Sequence, residues 1–422
     1  FIIPPILEQD PTPQNIISSE IIILDGSGVN LSNNIQDAIN NASINAIIKV
    51  SGIYSITNPI VIDKPLKLIG KSARIVYNGL DSAIKIQSNG VEIDSFDIRG
   101  PSRENGNGIL ITEGDSVIIN NCKIHSFFNG IHIQDNEVSI TNCRDIYSNT
   151  NGILINGFDN SQIINCKFYN NKDGIEILKD GTEIPNNNII IESNFEDNEI
   201  NGIHLNGADL NTIEYCTFEG NEICGILING MSLNNEIKKC MIIDNGCGVS
   251  IKMDSELNSI YHNHFELNSE NGNDENPAIT NFWDDTVSRG NYWDDYFGLD
   301  TDYDGIGDDT YVNGVIDNYP ISAAGRYIES LLPYSVEYWN PSGESIILAN
   351  IDLKPKQSKI IYLYYGFEEM HSLGRTGLEA VAVEPLAFKK YTEDNCVFYE
   401  NDFEILYNIP TLEPPDPKAG EW

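Results

Sequence analysis

Long apolar runs are missing: no stretch of the 422 residues approaches 18 consecutive apolar side chains. A membrane-crossing helix needs about 20, so none is expected. Basic residues are scarce, with 25 Lys and Arg against 63 Asp and Glu and a formal net charge of -38. Such a surface repels phosphate backbones and anionic lipid, which excludes nucleic-acid binding. It also disfavours polyanionic sugars unless cations bridge. Imidazole and thioether ligands are few, with 6 His and 4 Met. There is no Cys-x-x-Cys, so no zinc cluster is indicated. An initiating Met and a basic, apolar leader are also lacking: the chain opens on Phe1. We read this as the mature form of an exported protein.

What the chain does have is a repeat. Gly-apolar-x-apolar begins at Gly108, Gly130, Gly152, Gly174, Gly202, Gly225 and Gly248, with spacings of 22, 22, 22, 28, 23 and 23. The long spacing holds an insertion, Lys179 to Pro185, expected to bulge as a loop. Cys122, Cys143, Cys166, Ser193, Cys216, Cys240 and Asn263 recur in phase. So do the large apolar residues Ile124, Phe168, Phe195, Phe218, Ile242 and Phe265, and the asparagines Asn149, Asn171, Asn198, Asn221, Asn245 and Asn268. A unit of this length is too short for a helix pair or a propeller blade; it fits a coil of short strands stacked on its neighbours. Stacking at about 4.8 Å puts like on like, so buried asparagines can hydrogen-bond between coils. Asn and Gly at the bends would supply positive φ. Seven of the 8 Cys fall in ladders, Cys224 and Cys247 among them. They are expected as buried free thiols, because parallel side chains are poorly placed for bridging.

These phased coils resemble the right-handed parallel β-helix family, and more narrowly its carbohydrate-binding and sugar-hydrolase repeat, which also occurs in NosD-type accessory proteins of copper enzymes. The resemblance covers residues 21 to 320. It implies an all-β fold: a β-helix of about ten coils, a helical cap at the N-terminal end, then a small antiparallel β-sandwich. It leaves the activity open, since the fold serves enzymes, adhesins and scaffolds alike. Pectin-cleaving members carry Asn-x-Asp, Asp-Asp and Gly-His-Gly strings on successive coils, and the sequence shows no such constellation. With so few His and Met, a copper-handling role lacks ligands.

In chain order, residues 1 to 20 read as an extended, proline-containing tail. The apolar spacing from Asn34 to Asn41 predicts a short amphipathic helix closing the first coil, since an uncovered sheet edge invites aggregation. Residues 281 to 320 form a closing segment whose strings Asn281-Phe-Trp-Asp-Asp and Asn291-Tyr-Trp-Asp-Asp echo each other; it resembles the end of the NosD-type repeats. Residues 321 to 409 lose the coil pattern and read as sandwich strands. Residues 410 to 422 are a second proline-rich tail.

Ligand chemistry is concentrated in the closing segment. Asp300, Asp302 and Asp304, the backbone carbonyl of Ile306, and Asp308 and Asp309 have the spacing of oxygen ligands around calcium. The alternative is a solvated acidic turn. Trp283, Asp284, Asp285, Trp293, Asp294 and Asp295 either form a sugar platform or, for the tryptophans, plug the end of the core. His132 and His204 stand on one outer face about 14 Å apart, too far for one metal. Leu110, Leu154, Glu176, Leu227 and Ser250 share that position. Asn30 and Asn41 begin glycan acceptor triplets. Phe1, Ile2, Ile3, Ile6, Leu7 and Trp422 offer apolar anchors for joining a neighbouring copy. The first expectation is therefore an exported cell-surface structural protein that associates with copies of itself and binds calcium. The second is a polysaccharide-binding or polysaccharide-cleaving β-helix protein.

Overall fold

A computed structural model describes residues 21–24, 34–252, 254–275, 281–301 and 305–322, together with six short strands between residues 336 and 400. Internal contacts divide the chain into two compact units. The first comprises residues 1–236, 242–258 and 267–281, and the second residues 237–241, 259–266 and 282–422.

The first unit is a parallel β-helix. One of its sheets has ten parallel strands, from Ile60–Ile62 to Glu270–Asp274, added in strict chain order. Each strand of the repeat pairs with the equivalent strand one coil away, so Ile131 lies between Ile109 and Ile153, and Ile203 between Ile175 and Ile226. Three-residue strands such as Ile118–Asn120 and Lys123–His125 supply the other sides of a coil. The interior is a column of isoleucines with no exposed surface, beside Phe168, Phe195 and Phe218 stacked at 5.0 and 4.8 Å. Burying each such side chain stabilises the fold by about 1.5–3 kcal/mol.

The expected asparagine ladder is present. Asn149 donates its amide to Asn171, Asn171 to Asn198, Asn198 to Asn221, Asn221 to Asn245 and Asn245 to Asn268, at 2.8 to 3.2 Å. Each acceptor oxygen also takes the backbone N–H of the asparagine before it, as Asn198 does for Asn171 at 3.1 Å. A second ladder, Asn188, Asn211, Asn235, Asn258 and Asn281, runs the same way at another corner. Positive φ falls on the residue before the laddered one, at Asn170, Asp197 and Asp244, and at another bend on Glu192, Tyr215 and Lys239. Asn and Gly are thus only part of the bend chemistry. Neighbouring coils hold the turn strongly enough to force less suited residues into it.

The helix Asn34–Asn41 caps the first coil as the apolar spacing predicts, with Ile35 and Ile39 buried. Gln36 acts as a substitute strand: its amide donates to Val61 O at 3.0 Å and its oxygen accepts from Val61 N at 2.7 Å. The edge strand of the ten-stranded sheet is thereby partly satisfied. The seven cysteines whose side chains are described are free thiols.

In the second unit Asn263 pairs with Asn291, and Phe265, Trp293 and Tyr311 stack at 4.4 and 4.3 Å. Beyond residue 322 three antiparallel pairs are described: Val336–Trp339 with Ile346–Ala349, Tyr362–Leu363 with Val381–Ala382, and Lys389–Glu393 with Cys396–Glu400. The expected packing of such strands into a sandwich lies outside the described residues. No described helix is long and apolar enough to cross a membrane.

Candidate functional site

The chemistry gathers on the outward face of the ten-stranded sheet. Each repeat strand turns two isoleucine-type residues inward and the residue between them outward. The preceding glycine also faces inward: a Cβ at Gly152 would sit 2.4 Å from Gly174 O and 2.8 Å from the Phe168 ring. Two successive inward residues break the alternation, so the first residue of each strand also faces outward. That gives two outward columns. One runs Asn107, Asn129, Asn151, Asp173, Asn201, Cys224, Cys247; the other runs Leu110, His132, Leu154, Glu176, His204, Leu227.

Two adjacent coils bring acid and imidazole together. His204 Nδ1 lies 3.6 Å from Glu176 Oε1. Glu176 Oε2 accepts from the Asn151 amide at 3.0 Å, and Asp173 Oδ1 from the Asn201 amide at 2.7 Å. His204 Nε2 meets Asn229 Oδ1 at 3.1 Å. That oxygen only accepts, so Nε2 carries a proton and Nδ1 is left facing the carboxylate. A bare nitrogen lone pair against an ionised oxygen is repulsive, so the pair is satisfied by one proton between them. Burial raises the pKa of Asp173 and of Glu176, and His204 opposes the rise in both. The shared proton is the feature an acid–base step would draw on.

The surroundings suit a polar ligand. Leu227, half-buried, gives apolar surface beside the cluster, with Leu154 buried on its other side, and Asn156, Asn206 and Asn229 line the ends of the same strands. Three side-chain atoms on this face are buried without a hydrogen-bond partner: His132 Nε2, Asn156 Oδ1 and Asn201 Oδ1. Burial lowers the His132 pKa and keeps its ring neutral. At the strand-start edge Arg103 holds Glu199 with both guanidinium nitrogens, at 2.5 and 3.0 Å, and its carbonyl accepts from Thr150. At the other edge the insertion after Leu178 forms the expected turn, closed by paired hydrogen bonds between Asp180 and Glu183.

The sequence names other residues as sites. Trp283 and Trp293 are 2% and 1% exposed, so neither offers a face to a sugar. Their strings build core and turns. Asp284 accepts from Thr286 and Asn318, Asp285 caps the turn at Val287, Ser288 and Arg289, and Asp295 accepts from Tyr311 and Asn313. Asp294 shares the strand-end turn with Trp293, its N–H bonded to Phe265 O at 3.1 Å. The sugar-platform expectation is corrected by this burial. In the acidic run Asp302 and Asp304 lie outside the described residues. Asp300 accepts from Gly305 N–H and the Ser322 hydroxyl, and Asp308 from Thr301 N–H. The Asp309 carbonyl takes the Tyr296 hydroxyl, and Ile306 bridges Ile321. Asn41 ends the cap helix, exposed, with its amide on Asp37 O. Asn30, the tail residues Phe1, Ile2, Ile3, Ile6 and Leu7, and Trp422 lie outside the described residues.

The strings of the pectin-cleaving members are absent, but a carboxylate and an imidazole do meet on successive coils. Glu176 and His204 occupy the same place in adjacent coils, but the insertion stretches their spacing to 28 residues. Asp173 is hidden from the sequence for a different reason, because strict alternation assigns it to the inner face with Ile175.

The sequence profile of the family described as periplasmic copper-binding protein (NosD) matches residues 82–298, just over half of the chain and both outward columns. Among solved structures, the A-module of mannuronan C-5 epimerase AlgE4 from Azotobacter vinelandii is similar at 14% identity and TM-score 0.47, covering 62% of this chain and 92% of that one. ORF18 of Geobacillus virus E2 is similar at 16% identity and TM-score 0.46, covering 63% of this chain and 61% of that one. The periplasmic alginate epimerase AlgG is similar at 14% identity and TM-score 0.35, covering 63% and 84%. A search of curated protein sequences finds no match.

Proposed function

Given that the chain belongs to the NosD family, we propose that it works outside the cytoplasm as a polysaccharide-binding protein that performs acid–base chemistry at Asp173, Glu176 and His204. The observation that carries this reading is the 3.6 Å approach of His204 to Glu176, on a face otherwise made of amides and leucines. Amides and carboxylates meet hydroxyl groups, while leucines meet the apolar flanks of sugar rings. Glu176 and His204 share the proton that would be passed to or drawn from the bound sugar. Asp173, fixed by Asn201, adds a second carboxylate one residue before the inward glycine. Self-association through the tails rests on segments outside the described residues, and the described geometry favours the sugar face instead.

The family description names copper. Among the described residues no group of three or more His, Cys, Asp or Glu side chains could hold an ion. The imidazole and carboxylate sets that suit copper(II) therefore do not fit, and no step is derived through copper.

The test is a panel of plant, algal and microbial polysaccharides incubated with the pure protein, with binding and product release measured for the native chain and for Glu176→Gln and His204→Asn. We expect one polysaccharide class to bind, and both variants to lose product release by about 100-fold or more. A native chain that binds no member of the panel, or variants that act like it, would overturn the proposal.

A further inference from the structure

Two connections in the coil array are longer than their counterparts, and they meet the same coils from opposite edges. Seven residues, 100–106, lead from Glu92–Arg99 to Asn107–Glu113. The equivalent connections of later coils, such as those from Lys123–His125 to Asn129–Ile133 and from Asn194–Glu196 to Asn201–Asn206, have three or four. At the other edge ten residues, 179–188, separate Asp173–Leu178 from Ile189–Ile191, where the rest of the repeat uses four to seven. The first connection carries Arg103 along the strand starts. The Arg103 carbonyl accepts from the Thr150 hydroxyl, and its guanidinium reaches Glu199 two coils further on. The second turns back between Asp180 and Glu183 beside Gly157 of the coil before, while Lys179 lies against Gly207 of the coil after. Both therefore flank the coils that begin at Asn151, Asp173 and Asn201, where the acid–base cluster stands.

We propose that these two connections wall an open-ended channel along the helix axis, which takes an internal stretch of a neutral, unbranched polysaccharide. The channel rests on the sugar reading above and adds how the chain lies and which chains fit. Its direction follows from the walls. They stand at the two edges of the sheet face, while the described connections of neighbouring coils are short, so a ligand longer than the cluster can continue only along the axis. The floor continues that way too: His132 lies one coil before Leu154, and Leu227 one coil after His204. Coils repeat about every 4.8 Å, close to the length of one pyranose ring in an extended chain, so about five rings cover the floor from His132 to Leu227. A chain lying this way needs no terminus at the cluster. A side branch on a ring above Glu176 meets Arg103 at one edge or the Asp180 turn at the other.

Charge selects among chains. The floor and walls carry Asp173, Glu176, Asp180, Glu183 and Glu199 against Arg103, Lys172 and Lys179, in a molecule of formal net charge -38. A polyanionic chain adds to that excess. The guanidinium of Arg103 is already satisfied by both oxygens of Glu199. The rest of the floor suits an uncharged chain, with Leu178 and Leu227 for the apolar flanks of the rings and Asn206 and Asn229 for their hydroxyls.

The experiment measures calorimetric affinity of the full native chain for linear and side-chain-substituted forms of mannan, glucan and xylan, for polygalacturonate, and for the linear oligosaccharides of two to eight units. We expect a linear neutral chain to bind, with affinity rising with length and levelling off at about five units, one per coil of the floor. Substituted chains and polygalacturonate should bind about 10-fold or more weakly. Arg103→Ala, and deletion of residues 181–184, should each narrow the gap between substituted and linear chains, with circular dichroism unchanged. Disaccharides that bind the native chain as tightly as hexasaccharides, substituted chains that bind it as tightly as linear ones, or a preference for polygalacturonate would each overturn the channel and leave the acid–base reading standing. A native chain that binds none of these probes overturns both. Because the native measurements alone can refute the channel, the outcome does not depend on the variants folding.

Discussion

Asp317 has no exposed surface, yet it organises the closing segment. It accepts from Asn291 N–H, the Trp293 indole and Tyr319 N–H, at 2.7 to 2.9 Å. Burial nevertheless raises its pKa from 3.8 to about 7, against the lowering effect of those bonds. A raised folded pKa means the fold prefers the protonated acid. The stability this gives is fully present below pH 4 and is lost as pH rises to about 7, an effect of about 4 kcal/mol at most. We expect the melting midpoint of the native chain to fall between pH 5 and pH 8, and Asp317→Asn to flatten that slope. A variant with the native slope would show that another group sets it. The same scale shows how far a sequence can be read for chemistry. Glu176 and His204 were visible as occupants of one outward position, because glycine marks the register. Their contact was not, because the insertion obscures which coils are neighbours. Asp173 was not legible at all. Its direction depends on Gly174 turning inward, a backbone bend set by Gly202 O at 2.5 Å from where a Cβ would lie.

Among the elements, the asparagine ladders do what strand hydrogen bonds cannot, satisfying the corners. Asn198 makes four such bonds: it accepts from the Asn171 backbone and amide and donates to Phe168 O and Asn221 Oδ1. Asn198→Ala leaves several buried groups unpaired, each costing about 1–3 kcal/mol, so urea unfolding should show a loss of at least about 3 kcal/mol. Asn78→Ala, on an exposed amide bonded to Ser55, should cost under about 0.5 kcal/mol. Comparable losses would mean the corners are not the critical joints. The ladder through Asn149 to Asn268 was legible because a large apolar residue precedes each member at a fixed interval. The second ladder carries a quieter signal, Ile190, Ile213, Ile237 and Ile260 two residues after its members, which the glycine-based register passes over. The acidic run is an element of another kind. Calcium added to chelated protein is expected to raise the melting midpoint, since five clustered carboxylates repel one another until a cation joins them. An unchanged midpoint would leave the run a solvated turn.

At the scale of the first unit, the helix Asn34–Asn41 closes a stack that could otherwise keep growing. Ile39 has no exposed surface and Gln36 occupies the backbone groups of Val61. Ile39→Asp should lift the helix and expose the edge strand, so light scattering should report dimers or larger species where the native chain gives its own smaller size. A variant of native size would mean another segment covers the edge. Amphipathic spacing made this cap legible, whereas the exact partner of Gln36 depends on side-chain reach. Register carries one more consequence, and it concerns descent. Every repeat strand meets its neighbour residue for residue, so losing or gaining a single residue within a strand would turn its inward isoleucines outward. A whole coil of 22 or 23 residues can be duplicated or deleted with every ladder still closing on itself. A lineage carrying this protein would therefore change its length in whole-coil steps, and copies could diverge freely on the outward columns while their inward columns stayed the same. The pairing of Glu176 with His204 spans a single coil boundary, so a whole coil inserted at that one seam would separate them, whereas a coil added elsewhere, like the short loop Lys179 to Pro185 already at the seam, would leave them touching.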